Sequence, residues 1–371
     1  MRWSWQIGRV AGIGIYVHFT FLILLGWIAV IHFAHAGFEQ AVQGMLFVIA
    51  LFSIVVLHEL GHALTAKHYG IRTRDITLLP IGGVARLERM PEDPKQELVV
   101  AVAGPAVNVV LACLFYVLVF ASGETVEDPE RVMDVGGPFF IQMFIINVSL
   151  VLFNMLPAFP MDGGRVLRAL LAMRMDYVQA TQVAAHVGQG MALLFGFVGL
   201  FGNPILLFIA LFVWLGATQE ASMVQMKSAL AGIPIERAMI TDFRTLSPHD
   251  SLGQAAEHVI AGFQHDFPVV EDAHVVGILT RADLLKGLAE GGQATLVGEV
   301  MERKFETADP HEMMEGVLSR MQNCGCPSLP VVRNGGELVG IVTTENLGEF
   351  LMIQSALKGH KRQEELVASG S

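Results

Sequence analysis

Charge is scarce in this chain. Only 16% of its 371 residues are Asp, Glu, Lys or Arg, where a soluble globular domain carries about 25%. With 53% hydrophobic residues and a mean hydropathy of +0.53, an ordinary soluble enzyme is excluded and a membrane protein is implied. Basic residues are scarcer than acidic ones, 24 against 35, for a net charge of -11. That balance excludes the clustered Lys and Arg face on which nucleic-acid binding depends. Cysteine is almost absent. Cys113, Cys324 and Cys326 are too few for a disulfide framework and lack the paired spacing of a zinc-cysteine site, so they are read as core thiols in a reducing compartment.

The charges that exist are unevenly placed. Residues 1–226 hold 12 basic and 15 acidic groups, and residues 227–371 hold 12 and 20. The first part reads as bilayer and the second as water-soluble and acidic. A helix needs about 20 mostly apolar residues to cross a membrane, and six stretches qualify: Val17–His35, Gly44–Ala66, Leu98–Ala121, Phe139–Leu156, Val183–Phe201 and Pro204–Gln219. No small-residue cleavage site follows the first, so it is read as a retained helix and not a signal peptide. Along a six-helix path Arg2, Arg9, Lys67, Arg72, Arg74, Arg86, Arg89, Lys95, Arg165, Arg168 and Arg174 fall on one side. Only Arg131 falls opposite, in a loop rich in Glu and Asp. Basic residues accumulate on the cytoplasmic side, which puts the N-terminus and the C-terminal soluble part in the cytoplasm.

Within Gly44–Ala66 the only charged residue is Glu59, inside His58-Glu59-Leu60-Gly61-His62. On a helix, histidines at i and i+4 share a face and can bind one Zn²⁺, with the glutamate beside them as a base for water. An ionisable residue inside a membrane is costly, so it points to function. A catalytic zinc site takes three protein ligands, and the next acidic residue in an apolar context is Asp162. It follows Pro157 and Pro160, which interrupt the fourth helix by removing backbone donors. Two readings stay open for Asp162: a third ligand at membrane depth, or a helix N-cap at the interface.

These residues resemble the site-2 proteases, zinc metalloproteases of the membrane interior. The resemblance rests on His58-Glu59-Leu60-Gly61-His62, on Asn154 to Gly163 as N-x-x-P-x-x-P-x-D-G, and on Gly104-Pro105-Ala106-Val107-Asn108. It implies His58, His62 and Asp162 as ligands of one Zn²⁺, Glu59 as general base, and Asn154 as the polar group that positions substrate or stabilises the developing oxyanion. Gly82, Gly83 and Asn108 are its candidate substrate contacts. Pro80-Ile81-Gly82-Gly83-Val84 follows the β-prone Ile76-Thr77-Leu78-Leu79; it either re-enters the membrane and pairs an extended substrate by strand addition or forms a cytosolic hairpin turn. The partners are then a transmembrane protein substrate and the lipid bilayer.

The tail repeats itself. Phe267-Pro268-Val269-Val270 and Val275 to Leu284 recur as Leu329-Pro330-Val331-Val332 and Leu338 to Leu347. Each copy reads strand, turn, strand, helix, and the two resemble tandem CBS domains. That resemblance implies Thr280, Asp283 and Thr343 as nucleotide contacts, with Asn346 where the second copy should have an acid. The pair reads as an adenine-nucleotide site or as an assembly module through which two chains form a homodimer. The fold class is therefore a polytopic α-helical membrane protein of six transmembrane helices with an α/β tandem CBS module. The expected domains are residues 1–226, the intramembrane zinc protease, 227–295, the first CBS repeat, and 296–371, the second repeat and tail. The rival is a CBS-gated transporter or channel with an intramembrane metal site, which would have no use for Glu59 as a base and would show repeated halves not found here.

Overall fold

The structure is a computed structural model that describes residues 3–80, 82–87, 91, 93–125, 132, 134, 136–333 and 336–354. Arg2, Ile81, Arg89, Arg131 and the tail 355–371, on which parts of the sequence reading fall, lie outside the described residues. The chain divides into two compact units, Met1–Val224 and Gln225–Ser371.

The first unit starts with a hairpin that periodicity did not reveal. Strands β1 (Ser4–Val10) and β2 (Ile13–His18) are joined by Ala11 and Gly12 at φ 50 and 88, the left-handed pair that suits a two-residue hairpin turn. Helices α1 (Phe19–Ala36) and α2 (Phe38–His68) follow, then β3 (Thr73–Leu79) and β4 (Gly82–Leu87). The four strands form one sheet in the order β1-β2-β3-β4, parallel only between β2 and β3. Ile13 and Ile76 of this sheet pack on Leu60 and Ala63 of α2, and Val17 and Leu78 pack with Phe21 and Phe52. The sheet thus covers the stretch of α2 that carries His58 and Glu59, with β4 as its edge.

Helix α3 (Pro94–Ser122) starts at Asp93, whose carboxylate accepts the backbone N–H groups of Lys95 and Gln96. Helix α4 (Phe139–Asn154) leads through a proline-containing loop to α5 (Asp162–Ala172), α6 (Tyr177–Phe201) and α7 (Ile205–Leu230). Among the described residues α2, α3, α6 and α7 are long and apolar enough to cross a bilayer, and α1 and α4 are apolar but shorter. At 1.5 Å per residue α4 spans about 24 Å, less than the ~30 Å hydrocarbon core. Large side chains such as Phe120, Phe197 and Phe208 point outward from these helices, as lipid contact requires. The short α5 was not foreseen, because Arg165 and Arg168 break its apolar pattern and read as loop charges.

In the second unit each copy contains a helix, an antiparallel strand pair and a helix: α8 (Leu252–Ala261), β5 (Phe267–Glu271), β6 (His274–Leu279) and α9 (Arg281–Gly291), then, after the short α10 (Val297–Val300), α11 (Met314–Cys324), β7 (Ser328–Val332), β8 (Leu338–Thr343) and a helix over 344–354. The bridge Leu246 to Val269 recurs as Ala308 to Val331, and the copies exchange bridges, Ile240 to Ile341 and Ile278 to Glu302. Each copy has its own core, around Leu252, Phe267 and Leu279 and around Met314, Leu329 and Val342. One expectation is corrected: Cys324 and Cys326 are joined as a disulfide, since Gly325 in the left-handed region (φ 69) turns the chain and leaves their Cα atoms 5.2 Å apart.

Candidate metal centre

One turn of α2 places His58 and His62 on the same face, and the first residue of α5 brings Asp162 to them across 100 residues of sequence. Nε2 of His58 and Nε2 of His62 lie 3.2 and 3.1 Å from Asp162 Oδ2 and 3.2 Å from each other. All three residues are buried, at 6%, 3% and 6% exposure, and they form the one potential metal-ligand cluster of three found among the described residues. The N-cap of α5 is Met161, with no side-chain cap bond. Asp162 therefore faces the histidines and does not cap the helix.

The opposite ring nitrogens fix the tautomers. His62 Nδ1 donates to the Val100 carbonyl at 2.7 Å. Asn108 Nδ2 donates to Asn147 Oδ1 at 2.9 Å, which turns Asn108 Oδ1 to accept from His58 Nδ1 at 2.5 Å, and Asn147 Nδ2 donates to Met143 O. With both protons on Nδ1, the two Nε2 atoms and the carboxylate oxygen are three converging lone-pair donors. Such an arrangement is repulsive without a cation, and two imidazoles with one carboxylate make a zinc donor set. The residues fit the metal. Gly104 lies so close to His62 that a Cβ there would stand 2.2 Å from Nε2, so only glycine leaves room for the imidazole.

Glu59 is half-buried beside the cluster, under the edge strand: a Cβ at Gly83 would lie 3.1 Å from Glu59 Cγ and 2.9 Å from Val55 Cγ1. The hairpin of the two sequence readings is thus paired into a sheet, and Gly83 passes directly over the glutamate. Asn154, the last residue of α4, is half-buried, and its side chain makes no hydrogen bond among the described residues. The chain just beyond it rests on α5, because a Cβ at Gly163 would meet Leu156 O at 2.2 Å and Met155 O at 2.5 Å. That contact seats the chain leaving α4 against the start of α5. Asn108 departs from expectation: it is fully buried and stands behind His58, not at an open substrate surface. Asn147 was missed altogether, although an asparagine in the middle of the apolar run of α4 is a visible signal.

In the second unit a cleft of about 560 Å³ opens between the two copies, with Arg244 and His258 from the first and Thr343 and Asn346 from the second among its lining. Thr343 Oγ1 accepts the Asn346 backbone N–H. Thr280 and Asp283 do not line this cleft; Thr280 donates to Asp283 Oδ2 at 2.5 Å and caps α9. The expected nucleotide contacts are thereby divided between a cleft and a helix cap.

Residues 46–197 match peptidase family M50, and residues 235–290 and 297–352 each match the CBS domain. A zinc metalloprotease of Methanocaldococcus jannaschii is 31% identical over 94% of this chain and 96% of its own length. Rip3 of Mycobacterium tuberculosis is 30% identical over 95% of this chain and 93% of its own. Among solved structures, a site-2 protease from Methanocaldococcus jannaschii aligns with 59% of this chain and 95% of its own at 36% identity, with a TM-score of 0.43.

Proposed function

This chain belongs to peptidase family M50 and carries tandem CBS domains, and from that premise we propose the part each residue plays. The protein is an intramembrane zinc metalloprotease of the site-2 type, acting on a membrane-protein substrate. The observation that carries the assignment of residues is the convergence of three buried lone-pair donors beside a glutamate. His58, His62 and Asp162 hold one Zn²⁺. When bound, zinc supplies Lewis acidity, which makes water nucleophilic near neutral pH.

The remaining chemistry belongs to the chain. Glu59 takes the proton from the attacking water and returns it to the leaving amine as the C–N bond breaks. Asn154 orients the scissile carbonyl and donates to the oxygen on which charge develops. A transmembrane helix hides its amides in its own hydrogen bonds, so the substrate must be extended before attack. The free edge of β4 at Gly82 and Gly83, the latter above Glu59, pairs that extended segment by strand addition. Asn108 and Asn147 act behind His58. A CBS-gated transporter would leave Glu59 without a task.

The topology that goes with this reading has six crossings, α1 and α4 included, with the N-terminus and the CBS domains in the cytoplasm. The domains are residues 1–226, 227–295 and 296–371. In proteoliposomes containing a single-span substrate, cleavage should follow zinc content, at about one ion per chain, vanish with a chelator and return with added zinc. Full cleavage in metal-free protein would refute the assignment.

For the CBS pair the reading is an adenine nucleotide held in the cleft between the copies, with Thr343 donating to phosphate. Homodimer formation through the pair is its alternative use. Calorimetric titration of the full chain with ATP, ADP and AMP should identify a binder. Thr343→Ala should weaken it about tenfold, the loss of roughly one hydrogen bond to a charged group. Asp283→Ala, outside the cleft, should change it less. No heat with any nucleotide at millimolar concentration would return the pair to assembly.

A further inference from the structure

We propose that Arg168 and Glu97 are positioning residues for the metal centre, locking α5 to α3 so that Asp162 meets the two histidines. The proposal rests on the zinc assignment above. Glu97, Val100, Gly104 and Asn108 follow one another at spacings of three and four along α3 and so share one face, and that face is buried from end to end. Three of the four address the histidines directly. The Val100 carbonyl orients His62, Gly104 makes room for its ring, and Asn108 orients His58.

The fourth, Glu97, touches neither histidine. Its Oε1 accepts two N–H groups of Arg168, from Nε at 2.8 Å and from Nη2. Arg168 is the only hydrogen-bond partner of the Glu97 side chain among the described residues, since Oε2 is buried and unpartnered. Exposure is 0% for Glu97 and 1% for Arg168, and the guanidinium lies over the rings of both Phe159 and Tyr177, 5.0 and 5.1 Å from their centroids. Nη1 reaches Glu220 of α7 at 2.5 Å.

Helix α5 has only 11 residues, and Asp162 is the first of them. Where its carboxylate points therefore depends on how this short helix is seated. An apolar contact would hold α5 to α3 without setting rotation or register. A planar guanidinium with directional donors sets both. The pair stands at the far end of the α3 face that orients both imidazoles, and it thereby ties the helix that supplies the carboxylate to the helix that aims the histidines.

The test uses the full chain, purified without metal and loaded with Co²⁺, with affinity measured by chelator competition and the visible spectrum read at saturation. Arg168→Lys keeps the charge but loses the planar fork, and Glu97→Gln keeps an acceptor oxygen but loses the charge. Each should weaken Co²⁺ binding about 10- to 100-fold, the usual effect of removing support behind a ligand. Each should also shift the cobalt absorption at saturation, which simple loss of stability would not do. Glu220→Gln breaks only the link to α7, and its loss should be smaller than either. Wild-type affinity and spectrum in both Arg168→Lys and Glu97→Gln would overturn the proposal, as would a Glu220→Gln loss equal to theirs. If the wild-type chain itself bound no Co²⁺ and resembled Asp162→Ala, the zinc assignment would fall; a wild type that binds with unaltered variants overturns only the positioning role.

Discussion

Glu59→Gln should keep its metal and lose proteolysis by about 10²- to 10⁴-fold, the range that a general acid–base contributes. The amide is nearly isosteric, so β4 above it at Gly83 has no reason to move. His58, His62 and Asp162 are untouched, and their tautomers remain fixed by Asn108 and Val100. The amide can neither accept the proton of the attacking water nor return it to the amine. Zinc analysis and cleavage of the same preparation check both halves. Stoichiometric zinc with undiminished cleavage would exclude Glu59 as the base.

Asp162→Ala should lose both properties together. Two imidazoles leave the coordination sphere one protein ligand short, so zinc affinity should fall by more than about 100-fold, beyond what loss of an outer partner costs. The fold should survive, because α5 remains tied through Arg168 to Glu97 and Glu220 and Asp162 does not cap the helix. The change removes a carboxylate whose contacts are His58, His62 and, at 3.8 Å, Arg165. Chelator competition on the folded variant gives the answer. Wild-type zinc affinity there would remove Asp162 from the ligand set.

The apolar helices were legible because burial in lipid is a property of a run of residues, and each of the six runs overlaps a helix in the structure. Their ends were less legible. Helix α6 begins at Tyr177 and not Val183, and α7 continues to Leu230 past the polar residues after Gln219, since backbone hydrogen bonds continue a helix after hydropathy has stopped. The strands of the first hairpin, six and seven residues long and joined by a two-residue turn, were too short to stand out beside the first apolar run.

Sequence alone determined what is local or repeated. His58 and His62 share a face because 3.6 residues make a turn, Glu59 is singled out as the one charge in an apolar run, and two similar segments imply two similar units. Folding alone decided which distant groups meet. Nothing in the spacing of Asp162 from His62 says that a carboxylate closes the cluster, that Asn147 holds the amide behind His58, or that the Val100 carbonyl aims His62. Arg168 was counted with the cytoplasmic loop charges, yet it is buried against Glu97. The reason is physical: a periodicity constrains neighbours within a turn or a strand, whereas contacts across 38 to 104 residues arise only when helices pack and buried polar groups are driven to find partners.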